Sequence, residues 1–89
     1  YEIEEFQLSH DPLHLREIRG RSLAELELGR RSGAMVLAIR ENGKLIANPG
    51  GDTQMAPGQL LIVLGSKTQL ATFQSLLGEA VDTIETMPG

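Results

Sequence analysis

Two segments of this 89-residue chain limit its fold more than any others: Ala34 to Ile39, AMVLAI, and Leu60 to Leu64, LLIVL. Successive side chains of a strand point to opposite faces. Both segments are apolar at odd and even positions alike, the pattern expected of a central strand covered on both faces. Two such strands demand neighbours at their edges and material above and below. A chain of this length is one small domain and buries only about 60 to 65% of its unfolded surface, so a partner subunit bears on its stability.

The remaining residues supply those neighbours. Asn42-Gly43 is a strong two-residue hairpin signal, because a type I′ turn needs positive φ at both centres. Lys44 to Asn48 is therefore the returning antiparallel strand. Asn48-Pro49-Gly50-Gly51-Asp52 ends it, since proline donates no ladder hydrogen bond and two glycines favour a bend. Pro57-Gly58 fits a type II turn that launches the Leu60 strand. Ser66-Lys67-Thr68-Gln69 is a capping box, and Leu70, Phe73, Leu76 and Leu77 recur at helical spacing up to Gly78. Upstream, Tyr1 to Leu8 reads as a bulged edge strand, and Ser9 to Gly20 as a polar loop around Pro12. A second capping box, Ser22-Leu23-Ala24-Glu25, opens a short helix from Leu23 to about Leu28, ended by Gly29. Glu79 to Gly89 reads as a marginal strand or frayed tail. The order strand, short helix, hairpin, strand, helix predicts an α+β domain: a small mixed or antiparallel sheet with helices packed on it.

Composition narrows the function classes. With no cysteine there is neither a disulfide framework nor a thiolate metal site, and a reducing cytosol is the default. The net charge of −4, without a basic run, and only three aromatics, Tyr1, Phe6 and Phe73, argue against a nucleic-acid partner and against anionic lipid. No apolar run approaches the roughly 18 to 20 residues that span a bilayer, so no direct membrane insertion is expected. Tyr1 is not an initiator methionine and opens on strand-like sequence, which reads as a domain cut from a longer protein.

Motifs of catalysis and metal binding are incomplete. Gly65-Ser66-Lys67-Thr68 misses the phosphate-loop pattern, which needs lysine directly after its second glycine and another glycine five residues before that one; here Ser66 and Leu60 stand there. No GxGxxG occurs. His10 and His14 have the i,i+4 spacing of two metal ligands, but Pro12 lies between them and no third ligand is evident. Ser9, Ser22, Ser32, Ser66 and Ser75 lack a nucleophile elbow, and Glu41 and Asp52 sit beside turns whose amides carboxylates commonly satisfy. Arg30-Arg31-Ser32-Gly33 is more informative. Two guanidiniums suit phosphate or carboxylate, shared with Asn48 and Pro49 if the hairpin brings these near. They equally suit a solvated loop at the negative end of a helix.

Taken in order, YEIEEFQLS, GRSLAELEL, GAMVLAIRENGKLIANPGGDTQMAPGQLLIVLGS and TQLATFQSLLG resemble the C-terminal regulatory domain of the RCK/TrkA type (RCK_C, TrkA-C), found on potassium channels, potassium-uptake gating proteins and some other ion transporters. The resemblance covers residues 1–78 and leaves 79–89 outside. It departs at Gln59, where the family usually carries aspartate. It implies a noncatalytic, ligand-sensing, dimerising domain on the cytoplasmic side of the cell membrane, coupling small-ligand binding to gating of cation transport. The implied partners are a second copy, an upstream nucleotide-binding RCK_N domain and a membrane pore. Several family members bind cyclic di-AMP between two such domains, through segments matching Arg30 to Gly33 and Ala47 to Pro49. The carry-over gives Arg30 or Arg31 for phosphate, Asn48 for a base edge, and Pro49 and Ile46 for apolar contact, with Gly33 a further ligand-binding residue of the first segment and Ala47 forming a wall with Asn48 and Pro49. The alternative is a structural dimerisation module of another ion transporter, without a ligand.

Overall fold

The computed structural model describes residues 1–82. Most of the tail segment read from sequence thus lies outside the described residues. Four strands form one antiparallel sheet: β1 (Glu2–Gln7), β2 (Met35–Glu41), β3 (Lys44–Ala47) and β4 (Leu60–Gly65), in the order β1-β4-β2-β3. The two segments apolar at both parities are the two central strands. Three helices, α1 (Leu23–Leu26), α2 (Leu28–Ser32) and α3 (Lys67–Leu77), complete the α+β domain.

Antiparallel partners share a face, so the register sorts the side chains into rows. Phe6, Leu61 and Ile39 form one inner row, with Val63 and Val36 beside it. α3 lies over them with Leu70, Phe73 and Leu77, and the Phe6 and Phe73 rings meet at a centroid distance of 5.3 Å. The outer rows are Ile3–Leu64–Met35, Glu5–Ile62–Ala38–Ala47 and Gln7–Leu60–Arg40–Leu45. No described helix covers them: Ile3, Met35 and Leu45 are 63%, 60% and 57% exposed. Coverage on both faces is thus not met among the described residues. A bulge between Val36 and Ala38 shifts the β2 register part-way along.

Local chemistry accounts for most boundaries. Asn42 and Gly43 both have positive φ, 51° and 77°, as the hairpin turn needs. Gly58 has φ 81°, and the segment it opens leads into β4. Ser66 and Gln69 form a complete capping box at α3, with bonds of 2.8 and 3.1 Å. Three readings change. The edge strand β1 carries no bulge, since it pairs with β4 in unbroken register from Glu2 to Gln7. The Ser9 to Gly20 loop contains a 3-10 turn, Pro12–Leu15, capped by Asp11, and it sinks Leu15 and Ile18 into the core. These two lie three residues apart, one turn of a tight helix. The short helix also does not stop at Gly29. It breaks at Glu27, which is left-handed (φ 53°), restarts as α2 and ends at Gly33 (φ 81°). Gly33 donates its N–H to the Gly29 carbonyl at 2.7 Å, so the true C-cap is four residues further on.

The chain after β3 is stitched to the start of α1. Leu23 N–H donates to Thr53 O (3.0 Å), Ala24 N–H to Gly51 O (2.9 Å) and Met55 N–H to Arg21 O (2.9 Å). Met55 is buried beneath this seam. α1, α2 and the loop following β3 are thereby held around one hollow.

Candidate functional site

The hollow has a volume of about 520 Å³. Leu23, Ala24, Glu27, Leu28, Gly29 and Arg30 line it from the helical side. Ala34, Met35 and Val36 line it where β2 begins, and Pro49 and Gly51 close it. Its walls are mostly apolar, and Glu27 and Arg30 are its two charged side chains. They are paired, Arg30 Nη2 donating to Glu27 Oε2 at 2.5 Å, and both are well exposed to solvent.

Each wall has a local cause. The Ser22–Glu25 capping box is complete: Ser22 N–H donates to Glu25 Oε1 (2.9 Å) and Glu25 N–H to Ser22 Oγ (3.1 Å). The Ser22 N–H, then the Ser22 hydroxyl and the nearby Arg21 charge, hold the Glu25 carboxyl below its ordinary value of 4.5. The break at Glu27 turns α2 across the end of α1 and sets Glu27 and Arg30 three residues apart on the rim. On the opposite wall the chain packs closely, since a Cβ at Gly51 would lie 3.1 Å from the Ala24 methyl group. Asn48 is left-handed (φ 49°) and its N–H donates to Leu37 O at 2.8 Å, which turns the chain so that Pro49 reaches the cavity.

Of the seven residues named from sequence, Arg30 and Pro49 meet here. Gly33 instead lines a separate cavity of about 280 Å³ with Tyr1, Met35, Leu64 and Gln69. Ile46 pairs with Ile39 on edge strand β3, Ala47 pairs with Ala38 on the outer row, and Arg31 and Asn48 are exposed. None of these four lines the main cavity. Sequence reading missed Leu23, Glu27, Met35, Val36 and Gly51. Nothing in LELGRRSG shows that a glutamate would take the left-handed position.

The loop before α1 holds an unforeseen arrangement. Ser9 Oγ lies 2.9 Å from His14 Nδ1, and His14 Nε2 lies 3.9 Å from Asp11 Oδ2. The order serine, histidine, aspartate is that of a hydrolase triad, but Ser9 is buried, its Oγ also accepts the Asp11 N–H (3.1 Å), and none of the three lines the cavities above. The arrangement locks a turn. The His10 ring packs on Gly58, where a Cβ would come within 2.9 Å of His10 Cδ2. Among the described residues no three His, Asp or Glu side chains gather as metal ligands, and no helix is long and apolar enough to cross a membrane.

Fold and cavity define a small α+β domain, a four-stranded antiparallel sheet backed by helices on one face. The TrkA-C domain profile matches residues 16–78, well over half of the sequence, and the chain belongs to that family. No curated protein matches it. Among solved structures it is similar to the RCK_C domain dimer of S. agalactiae BusR in complex with c-di-AMP, with TM-score 0.73 and 26% identity, covering 86% of this chain and 96% of that one. Longer BusR, in complex with its busAB-promotor DNA, matches with TM-score 0.74 and 26% identity, and there the alignment covers 86% of this chain but 36% of that one. The GsuK channel matches with TM-score 0.67 and 25% identity, over 84% of this chain and 13% of that one. The potassium transport protein KtrA, in its RCK C domain, shares the fold at 22% identity and TM-score 0.71, over 83% of this chain and 80% of that one.

One expectation is overturned here. Net charge and aromatic content argued against a nucleic-acid partner, yet BusR, which contains a domain of this fold, is found on promoter DNA. The physical reason lies in reach. Charge arguments speak only for the surface counted, and this chain aligns with about a third of that protein.

Proposed function

We propose that this chain is the ligand-sensing, dimerising unit of a protein that regulates cation transport, with a cyclic dinucleotide such as c-di-AMP as its ligand and no catalytic step of its own. One observation carries the reading: a mostly apolar cavity with a single arginine at its rim, in a chain that aligns with nearly the whole of one chain of a c-di-AMP-bound RCK_C domain dimer. Apolar walls suit a nucleobase and a guanidinium suits a phosphodiester. Leu23, Val36 and Pro49 serve the base and Arg30 the phosphate. Arg31, Gly33, Ile46, Ala47 and Asn48 act from outside the cavity, on the rim that a second copy would complete. Residues 1–78 are the working unit, with Ala80 and Val81 just beyond it packed into the same core.

The uncovered outer sheet face supports self-association, since its exposed Ile3, Met35 and Leu45 are apolar. A ligand bound between two copies shifts their arrangement by its differential affinity for the two states, typically about 1 to 3 kcal/mol. The output lies in the remainder of the protein. A pore-bearing or pore-gating partner on the cytoplasmic side of a membrane, with an RCK_N domain upstream, is the first reading. The BusR–DNA complex favours a second, a DNA-binding regulator.

Calorimetry and thermal shift with c-di-AMP test the proposal. Saturable binding with a raised Tm, reduced about tenfold or more by Arg30→Ala while light scattering still reports the dimer, is the expected result. A dimer whose Tm no cyclic dinucleotide or adenine nucleotide moves is instead a structural module, and a monomer without any shift removes both readings.

A further inference from the structure

The cavity's arginine is already occupied. Arg30 Nη2 donates to Glu27 Oε2 at 2.5 Å, and the two are the cavity's charged side chains. Glu27 is placed for this by an unusual backbone. It is one of three non-glycine residues with positive φ among the described residues, and the other two are asparagines, which tolerate that region better. It sits at the N-cap position of α2, where a short acidic or hydroxyl side chain ordinarily accepts a backbone N–H, yet it makes no side-chain cap bond. Its carboxylate is turned to Arg30.

We propose that Glu27 is a built-in competitor for Arg30, a carboxylate latch that an incoming phosphate must displace, and that it sets which anions the cavity accepts. This rests on the reading of the cavity as a phosphodiester site. A guanidinium offers five N–H donors in a fixed fork, and bidentate phosphate recognition needs two neighbouring ones free. Glu27 holds Nη2 and places a negative charge beside the remaining donors. A small inorganic anion brings only its charge, and what it gains at the guanidinium is largely cancelled by the loss of the Glu27 pair. A cyclic dinucleotide also buries a base against Leu23, Val36 and Pro49, and that apolar contribution offsets the displacement. The displacement costs both ligands alike, so it leaves free phosphate with little net affinity while a phosphodiester that carries a base still binds.

Glu27→Gln removes the charge and keeps the side-chain length and the backbone demand, so a change in ligand response without a change in far-UV circular dichroism isolates the latch. Two probes are used on the whole chain: c-di-AMP by calorimetry at low ionic strength, and inorganic pyrophosphate followed through the Arg30 Nε–H resonance. The expected results are a gain in c-di-AMP affinity of about two- to fivefold, the range an exposed ion pair supports, and a pyrophosphate response that appears in Glu27→Gln and is weak in the parent. The gain should vanish in an Arg30→Gln background. Unchanged or weaker c-di-AMP binding by Glu27→Gln overturns the latch and leaves the ligand reading standing. If neither protein binds c-di-AMP but the pyrophosphate response still depends on Glu27, the latch stands and the ligand reading falls. If Arg30 responds alike to pyrophosphate in both proteins, the latch is overturned on that measurement alone.

Discussion

The two faces of the sheet are made by the same four strands from similar side chains, and they end in opposite environments. On the inner face Phe6, Leu61, Val63 and Ile39 are buried under α3, with Leu70, Phe73 and Leu77. On the outer face Ile62 and Leu64 are half-buried, and Ile3, Met35 and Leu45 stand largely in water. Apolar character therefore does not by itself say where a strand residue ends up. One helix of adequate length covers one face of a small sheet, and among the described residues α3 is the one such helix, so the apolar side chains of the other face have no helix over them.

The largest expected effect lies on the inner face. Phe73→Ala deletes a fully buried ring stacked near Phe6 and should lower unfolding free energy by about 3 to 5 kcal/mol in urea titration. A loss under about 1 kcal/mol would mean that the inner face is not the core. Next come the residues that hold the register by which apolar side chains are sorted between faces, because a one-residue slip exchanges the two. Gly58→Val places a branched side chain at φ 81°, against the His10 ring, and should cost about 1 to 3 kcal/mol. Gln59→Leu should cost a similar amount, about 1 to 3 kcal/mol. The buried Gln59 amide donates to Glu41 Oε2 (3.0 Å) and Gln54 O (3.1 Å) and accepts the Ala56 N–H (2.9 Å), so leucine leaves buried groups unpaired. A neutral outcome in either variant would show that the register is set elsewhere.

The outer face gives the smaller effect that sharpens the contrast. Ile3→Thr should change monomer stability by no more than about 0.5 kcal/mol at low protein concentration. The same variant should weaken self-association in sedimentation if that face is covered in the dimer, and equal sedimentation of the two proteins would place the contact elsewhere. The smallest effect belongs to Glu25, on neither face. Its carboxyl is held below its ordinary value, so the contribution is complete above that value and is lost as pH falls through the lower, folded one. Tm of the parent should therefore fall more steeply below about pH 4.5 than Tm of Glu25→Gln. Parallel acid limbs would remove the capping box from the account.

Much of the fold was legible because its signals are local. Asn42-Gly43, Pro57-Gly58 and the two Ser-x-x-Glu/Gln boxes each satisfy or strain a backbone within four residues. The loop from Ser9 to Gly20 was misread because the pull of Leu15 and Ile18 toward the core is a property of what surrounds them. The site was less legible. Of the residues named from sequence, Arg30 and Pro49 line the main cavity, and Glu27, Met35 and Val36 line it without a local signal, since the cavity exists only where α1, β2 and the chain after β3 converge. The expectation against nucleic acid failed for a different reason: it drew a conclusion about a whole protein from the charge of one domain.

Sequence by itself determined the turns, the caps, the two central strands and the family, because these depend on residue type and spacing along the chain. Tertiary structure decided which sheet face is covered, and that Glu27 takes a left-handed backbone. It also decided that this glutamate pairs with the arginine at the mouth of the cavity. Those outcomes depend on which of several locally acceptable arrangements packs against a distant segment, and no window of neighbouring residues contains that information.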